Sequence, residues 1–354
     1  MKTFCVIMAG GGGTRFWPLS KASTPKQLLN LSGKDTMINE TIDRFSYSVN
    51  KENCYIITNK TQVGKMLEFT KGRVCDAHVL AEPVGRNTAA CIGYAAIKIL
   101  KEKGDGVMVV TPSDAYVKDV KEFNRVLSQA INVAEKTSEI VTIGITPTFA
   151  ATGYGYIHFS KSNDIAKKVI KFVEKPNQEK ADEYFKSGEY AWNSGIFVWK
   201  ASTVIKKIQA LLPDIYEKLL ILDDSIGKDN EQKVLEETYP TIRSISIDYG
   251  VMEKSNDIWV IPGEFGWNDV GSWDMMNVLH ESDENGNIVV GDFVGVETKN
   301  SIIYSSTKPI TTVGVDGLVI VETDDAIMVC PKDKSQDVKK IVDELEKRGK
   351  NDLL

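Results

Sequence analysis

Through the first half of the chain, short apolar runs alternate with segments of helical periodicity. TFCVIM (Thr3 to Met8), CYIIT (Cys54 to Thr58), AHVL (Ala77 to Leu80), VMVVT (Val107 to Thr111) and IVTIGI (Ile140 to Ile145) lack the strict alternation of a half-exposed sheet. They predict strands covered on both faces. Between them, Ile92, Ala95, Ala96 and Ile99 form one apolar stripe at helical spacing, and Phe123, Val126, Leu127, Ala130 and Ile131 form another. Strands in alternation with helices predict an α/β fold with a Rossmann-like mixed, mostly parallel sheet flanked by helices.

From about residue 150 to 280 the rhythm is less regular. Stretches rich in Gly, Asn, Asp and aromatics predict long loops, the composition of a substrate-facing lid or insertion. HESDENGN (His280 to Asn287) reads as a linker. Beyond it, IVV, FVGV, SIIY, ITTVGV, LVIV and AIMV are short strand-like runs separated by turn residues, followed by a helix with Val338, Ile341, Val342 and Leu345 on one face. The pattern predicts a large domain at 1–280 and a small C-terminal β domain with a terminal helix at 281–354. The small domain is too short to build a large core alone, so it is expected to pack on the main domain or on a second subunit, which makes a homodimer the expected assembly.

Composition narrows the function. With 354 residues, 42% hydrophobic and 26% charged, the chain can bury a full core. A net charge of −6 argues against broad nucleic-acid binding, so any phosphates bound belong to a small molecule. Five cysteines at scattered spacings without CxxC read as reduced packing residues. The N-terminal apolar run is far shorter than a membrane span and has no export-type cleavage site, which predicts a cytoplasmic location and no membrane partner. The three histidines show no zinc-type spacing.

The first strand runs into AGGGGTR (Ala9 to Arg15). Backbone N–H groups free of Cβ obstruction form a nest for phosphate oxygens, which Arg15 then neutralises. The run lacks the GK[ST] ending of a P-loop, and a tight turn with an incidental arginine is the plainer alternative. In TPKQLL (Thr24 to Leu29), Lys26 is within reach of the same loop, so Arg15 and Lys26 together suit a triphosphate.

At this point the chain resembles the sugar-1-phosphate nucleotidylyltransferases. The resemblance is carried by GGGGTRFWPLS and PKQLL, then AEPVGRNTAA (81–90), PSD (112–114), TGYGYI (152–157), FVEKP (172–176), WNSGIFVW (192–199), SIDYGVMEK (246–254) and FGWNDVGSW (265–273), in family order. Departures are few: Gly12 replaces the usual Ser of GGSGTR, Phe16 a common Leu, and Ala115 a frequent His. The resemblance implies the nucleotide-diphospho-sugar transferase fold with a left-handed β-helix-like tail. It also implies the substrates GTP and mannose 1-phosphate, with GMP transferred to give GDP-mannose and pyrophosphate. The chain ends at Leu354, so the isomerase half of longer bifunctional relatives is not expected.

The resemblance also implies the site. Asp114 and Asp269 are expected to hold Mg2+, and Arg15 and Lys26 to neutralise the triphosphate; these four form the expected catalytic set. Gly10, Gly11, Gly13 and Thr14 are expected along the nucleotide, with Gly85, Arg86 and Asn87 near base or ribose. Gly155, Glu174, Lys175 and Asn193 are expected on the sugar phosphate. Glu82 is expected to read guanine, whose adjacent N1–H and N2–H2 donors suit a carboxylate. Each has a plainer alternative: a helix cap or turn for Asp114 and Asp269, a solvated surface group for Lys175, a cap for Glu82. The tryptophans of GWNDVGSW suit either stacking on a ligand or core packing. The competing functional readings are the same chemistry on another sugar 1-phosphate or NTP, and a non-catalytic nucleotide-sugar-sensing homologue.

Overall fold

The computed structural model describes the whole chain except Glu174. In chain order its larger part contains β1 (Thr3–Met8), α1 (Met37–Phe45), β2 (Cys54–Asn59), α2 (Val63–Phe69), β3 (Val79–Glu82), α3 (Asn87–Lys103), β4 (Val107–Pro112), β5 (Tyr116–Val117), α4 (Val120–Thr137) and β6 (Ile140–Ile145). There follow β7 (Tyr156–Phe159), β8 (Lys167–Val173), α5 (Gln178–Ser187), β9 (Tyr190–Lys200), α6 (Ala201–Leu211), α7 (Pro213–Ser225), α8 (Glu231–Thr238), α9 (Ile247–Gly250), β10 (Ile258–Gly263) and β11 (Trp267–Asn268). Nine strands form one sheet in the order β3-β2-β1-β4-β9-β6-β10-β8-β7. β1 to β4, β6 and β10 share a direction, and β9 is inserted antiparallel between β4 and β6.

The unbroken apolar runs have a direct physical cause. On β1, Phe4 and Val6 pack into one core with α3, α6 and α7, while Cys5 and Ile7 pack into the opposite core with α1 and α4. Both faces are dry, so neither parity of the strand tolerates polar residues. α4 is bounded by local chemistry: Asp119 caps it by accepting the Glu122 N–H at 2.9 Å, and its apolar stripe Phe123, Val126, Leu127 and Ala130 is fully buried.

Two local expectations change. AHVL begins in a 3-10 turn (Asp76–His78), and the strand runs from Val79 to Glu82. The 150–280 stretch is not mainly loop: it supplies four strands of the main sheet, the short β11 and most of the second helical layer. Its helices bury few residues each, with only Leu235 buried in α8 and only Ala181 in α5, so their periodicity is faint in the sequence.

The C-terminal strands are β12 (Ile288–Val290), β13 (Phe293–Val296), β14 (Ile302–Ser305), β15 (Ile310–Val313), β16 (Leu318–Glu322) and β17 (Ile327–Pro331), followed by α10 (Lys339–Lys347). β12, β14 and β16 stack in parallel, as do β13 and β15, so successive turns of chain lie over one another as in a β-helix. Ile288, Ile302 and Val319 align in register and are buried. On α10, Val342 is buried but Ile341 is exposed, so the apolar face is narrower than the spacing predicted. The inward residues join Phe16, Trp17, Leu29, Leu31 and Met37 of the N-terminal part in one shared core, with Trp273 at its centre.

One buried carboxylate pins this module. Glu322 accepts the Thr307 N–H and hydroxyl, and the N–H groups of Lys308 and Ser306. These donors hold its carboxyl down to about 2. A depressed carboxylate contributes stability present above the unfolded-state value of about 4.3 and lost as pH falls toward 2. The thermal midpoint of the wild type is therefore expected to fall steeply between about pH 4.5 and 2. E322Q is expected to start lower at pH 7 and to fall less over that interval. Equal slopes for the two proteins would show that Glu322 contributes nothing to acid lability.

Candidate active site

The loop after β1 is fastened by its carbonyl groups. The Gln27 amide donates to Ala9 O (2.7 Å) and Gly11 O (3.1 Å), Thr58 Oγ1 to Ala9 O (2.9 Å), and Ser20 Oγ to Gly13 O (2.7 Å). Gly13 has φ of 63°, and a Cβ there would lie 2.2 Å from Lys26 Cβ. The residue must be glycine both for its backbone conformation and because the Lys26 side chain passes against it.

Lys26 is the centre of the site. Its side chain is 6% exposed. Nζ donates to Asp114 O (2.9 Å), Asp114 Oδ2 (3.0 Å) and Asp269 O (2.6 Å). An ammonium has three donors, so all three are committed to these two residues. A short ladder brings the two together: β5 pairs antiparallel with β11, matching Val117 to Trp267 and Tyr116 to Asn268. Asp114 precedes β5 by two residues and Asp269 follows β11 directly.

Asp269 is held from both sides. Asn268 Oδ1 accepts the Val270 N–H at 2.7 Å, and Val270, fully buried, has φ of 43°. A β-branched residue in the left-handed region is strained, so the surrounding packing must impose it. Tyr154 donates its hydroxyl to Asp269 Oδ1 at 3.1 Å. Burial pushes the Asp269 carboxyl above its ordinary range; Lys26 and Tyr154 pull it back, and the Asp114 charge adds to the rise. The cavity thus contains two carboxylates, that of Asp269 desolvated, and carboxylate oxygens are the donors a hard divalent cation takes. Among the described residues no cluster of three or more His, Cys, Asp or Glu side chains that could hold a metal ion occurs.

Gly13, Thr14, Arg15, Lys26, Asp114, Gly155, Lys175, Asn193 and Asp269 line one open cavity of about 640 Å3. On its far wall the Asn193 N–H donates to Gly155 O (2.8 Å), and Asn193 Nδ2 donates to Asp248 Oδ1 (2.9 Å). Burial raises the Asp248 carboxyl. Trp267 and Tyr154 form an aromatic wall with ring centres 5.5 Å apart, whereas Trp273 lies in the core shared with the C-terminal strands. Glu174 lies outside the described residues.

Other expected nucleotide residues stand away from this cavity. Glu82, at the end of β3, is buried; Oε1 accepts the Tyr239 hydroxyl at 2.5 Å, and Oε2 lies 3.2 Å from where a Cβ on Gly10 would be. Burial raises its carboxyl, and the Tyr239 hydroxyl opposes the rise. Arg86 donates to Pro240 O, and Asn87 opens α3 with φ of 63°. Gly10 lines a smaller cavity of about 260 Å3 shared with Val342 and Leu354, while Gly11 and Gly85 have open space where a Cβ would be.

Sequence reasoning missed Tyr154, Asp248, Thr88 and Lys339, all of which line the main cavity. Tyr154 and Asp248 fall inside the stretches TGYGYI and SIDYGVMEK, so a signal for both is present in the sequence. Lys339 carried none, because one lysine in a lysine-rich helix looks like any other.

The chain belongs to the nucleotidyl transferase family, whose model matches residues 4–286. A second model, described as the MannoseP isomerase/GMP-like beta-helix domain, matches residues 291–345. The chain is 38% identical over 359 residues to a mannose-1-phosphate guanylyltransferase of Salmonella montevideo, covering 98% of this chain and 74% of that protein. It is 36% identical over 359 residues to the alginate biosynthesis protein AlgA of Pseudomonas aeruginosa, with coverage of 98% and 73%. A solved structure from Thermus thermophilus, described as a mannose-1-phosphate geranyltransferase, superposes with a TM-score of 0.89 at 32% identity, covering 98% of this chain and 100% of that one.

Replacing Gly13 tests the loop. G13A is expected to cost about 1–2 kcal/mol of stability from the left-handed backbone alone, and the 2.2 Å approach is expected to displace Lys26 and abolish metal-dependent turnover. Thermal unfolding and single-turnover assays check the two effects separately. Full activity in a folded G13A protein would overturn the argument.

Proposed function

We propose that this chain transfers GMP from GTP to α-D-mannose 1-phosphate, giving GDP-mannose and pyrophosphate. The observation that supports it most is the cavity in which Lys26 holds Asp114 and Asp269 together and which Arg15 and Lys175 also line. A sugar-phosphate oxygen is already an anionic nucleophile, so attack on the α-phosphorus needs no general base. What it needs is neutralisation and in-line placement of two polyanions that repel one another.

Members of this family generally use a divalent metal ion, and we take it to be Mg2+. Asp114 and Asp269 hold it, and when bound it supplies charge neutralisation at the reacting phosphates. Arg15 and the glycine loop, with Gly10, Gly11, Gly13 and Thr14, bind the triphosphate. Lys26 keeps the two carboxylates in place beside it. Lys175, with Gly155, Asn193 and Glu174, binds the sugar phosphate. Glu82 reads guanine, with Gly85, Arg86 and Asn87 beside the base or ribose.

The organisation we infer is a catalytic domain at 1–280 and a C-terminal domain at 281–354. Homodimers form through the C-terminal domain, where Val294, Val296 and Val313 are exposed. No helix among the described residues is long and apolar enough to cross a membrane, and the inferred location is the cytoplasm.

Purified protein with Mg2+, mannose 1-phosphate and each of GTP, ATP, UTP and dTTP provides the direct test, read as pyrophosphate and nucleotide-sugar. Dominant GDP-mannose is expected. Turnover with another nucleotide would refute the base assignment, and tight nucleotide binding without turnover on any sugar 1-phosphate would refute the enzyme reading. In the same assay E82Q is expected to lose about 1–3 kcal/mol of preference for GTP over the other nucleotides. An unchanged preference would remove Glu82 from base recognition.

A further inference from the structure

The triphosphate end of the substrate is short of cations if only the residues nearest β1 serve it. Lys26 has no donor left, since its three are taken by Asp114 and Asp269. Lys175 lies on the loop after β8 and is assigned above to the sugar phosphate. Beside the metal ion and the glycine loop, that leaves Arg15 as the one side-chain cation assigned so far to the β- and γ-phosphates.

The structure supplies another lysine from an unexpected part of the chain. Lys339, the first residue of α10, lines the main cavity with Thr14, Arg15 and Gly271. Its side chain is exposed and makes no ion pair or hydrogen bond among the described residues, whereas its neighbour Lys340 is paired with Asp337 at 2.9 Å. The segment that carries it is fixed. Ser335 Oγ donates to Asp274 Oδ1 (2.6 Å), and Gln336 Nε2 donates to Ser272 Oγ (2.5 Å), three residues beyond Asp269. Ser335 and Ser272 are buried, and Val338 packs in the same core as Phe16. A cation with unused donors is therefore held at the cavity rim on the Arg15 side.

We propose that Lys339 binds the β- and γ-phosphates of GTP and the departing pyrophosphate, so that the C-terminal module completes the nucleotide site. The inference rests on the guanylyl-transfer reading above. An exposed lysine is already hydrated and loses little on meeting a polyanion, and its location on the Arg15 side puts two cations at the same end of the cavity, where they can share the leaving group.

The test compares wild type, K339A, K339R and K340A by steady-state kinetics in the forward direction and in pyrophosphorolysis of GDP-mannose. K339A is expected to raise KM for GTP and for pyrophosphate about tenfold, the loss of one charge-assisted contact. KM for mannose 1-phosphate is expected to stay within about twofold, K339R to restore most of the loss, and K340A to match wild type. Unchanged KM values in K339A would overturn the proposal. So would a rise confined to mannose 1-phosphate, equal losses in K339A and K340A, or failure of K339R to rescue. Absence of turnover in the wild type would instead refute the parent reading, so the two failures are distinguishable.

Discussion

The whole site depends on one buried ammonium. Asp114 and Asp269 come from loops far apart in the chain, and as two carboxylates in a partly dry cavity they repel each other. Lys26 Nζ offsets that repulsion and, by bonding both main-chain carbonyls as well as Asp114 Oδ2, fixes the loops as well as the charges. It does so only because Gly13 leaves room for its side chain. The glycine run therefore has two consequences: it opens the backbone toward an anion, and it admits the lysine that holds the acidic pair.

Much of this was legible in the sequence, for reasons that differ by element. The first strands were readable because dry packing on both faces leaves an unbroken apolar run, and α4 because its stripe is wide and fully buried. The 150–280 stretch was not, because helices that bury one or a few residues leave no periodicity to detect. In the site, residues that are rare for a stated reason stood out: glycines in a row, and acids at strand ends. Lys26, Asp114 and Asp269 were each singled out, but the bonds that join them were not. That the three Lys26 donors are committed to Asp114 and Asp269 depends on the β5/β11 ladder, and two-residue strands have no pattern of their own. Tyr154 and Asp248 were passed over because a tyrosine and an aspartate beside motif residues have ordinary structural uses.

The C-terminal module has a physical reason to be inseparable from the loop it contacts. Its stacked strands are too short for an independent core, and the aromatic pair Phe16 and Trp273 of the larger part, with ring centres 5.2 Å apart, lies in the core that both parts share. The Trp273 indole N–H donates to Trp17 O (3.2 Å), and the Trp17 indole N–H donates to Leu353 O (2.9 Å). Stability of the tail and placement of the glycine loop are thus drawn from the same buried surface.

That sharing bears on the strain beside Asp269. A left-handed conformation at a β-branched residue costs about 1–3 kcal/mol. Full burial of a valine side chain returns roughly 1.5–3 kcal/mol, and Val270 is fully buried in the core it shares with Trp273, Ile288 and Val319. The two magnitudes are matched, so burial in this shared core offsets the strain of the turn. Remove that burial and the favourable term goes while the strained conformation stays unfavourable. The backbone is then free to relax and the Asp269 carboxylate turns with it. The backbone that orients a carboxylate of the nucleotidyl transferase domain is in this way tied to hydrophobic burial in a core to which the β-helix domain also contributes.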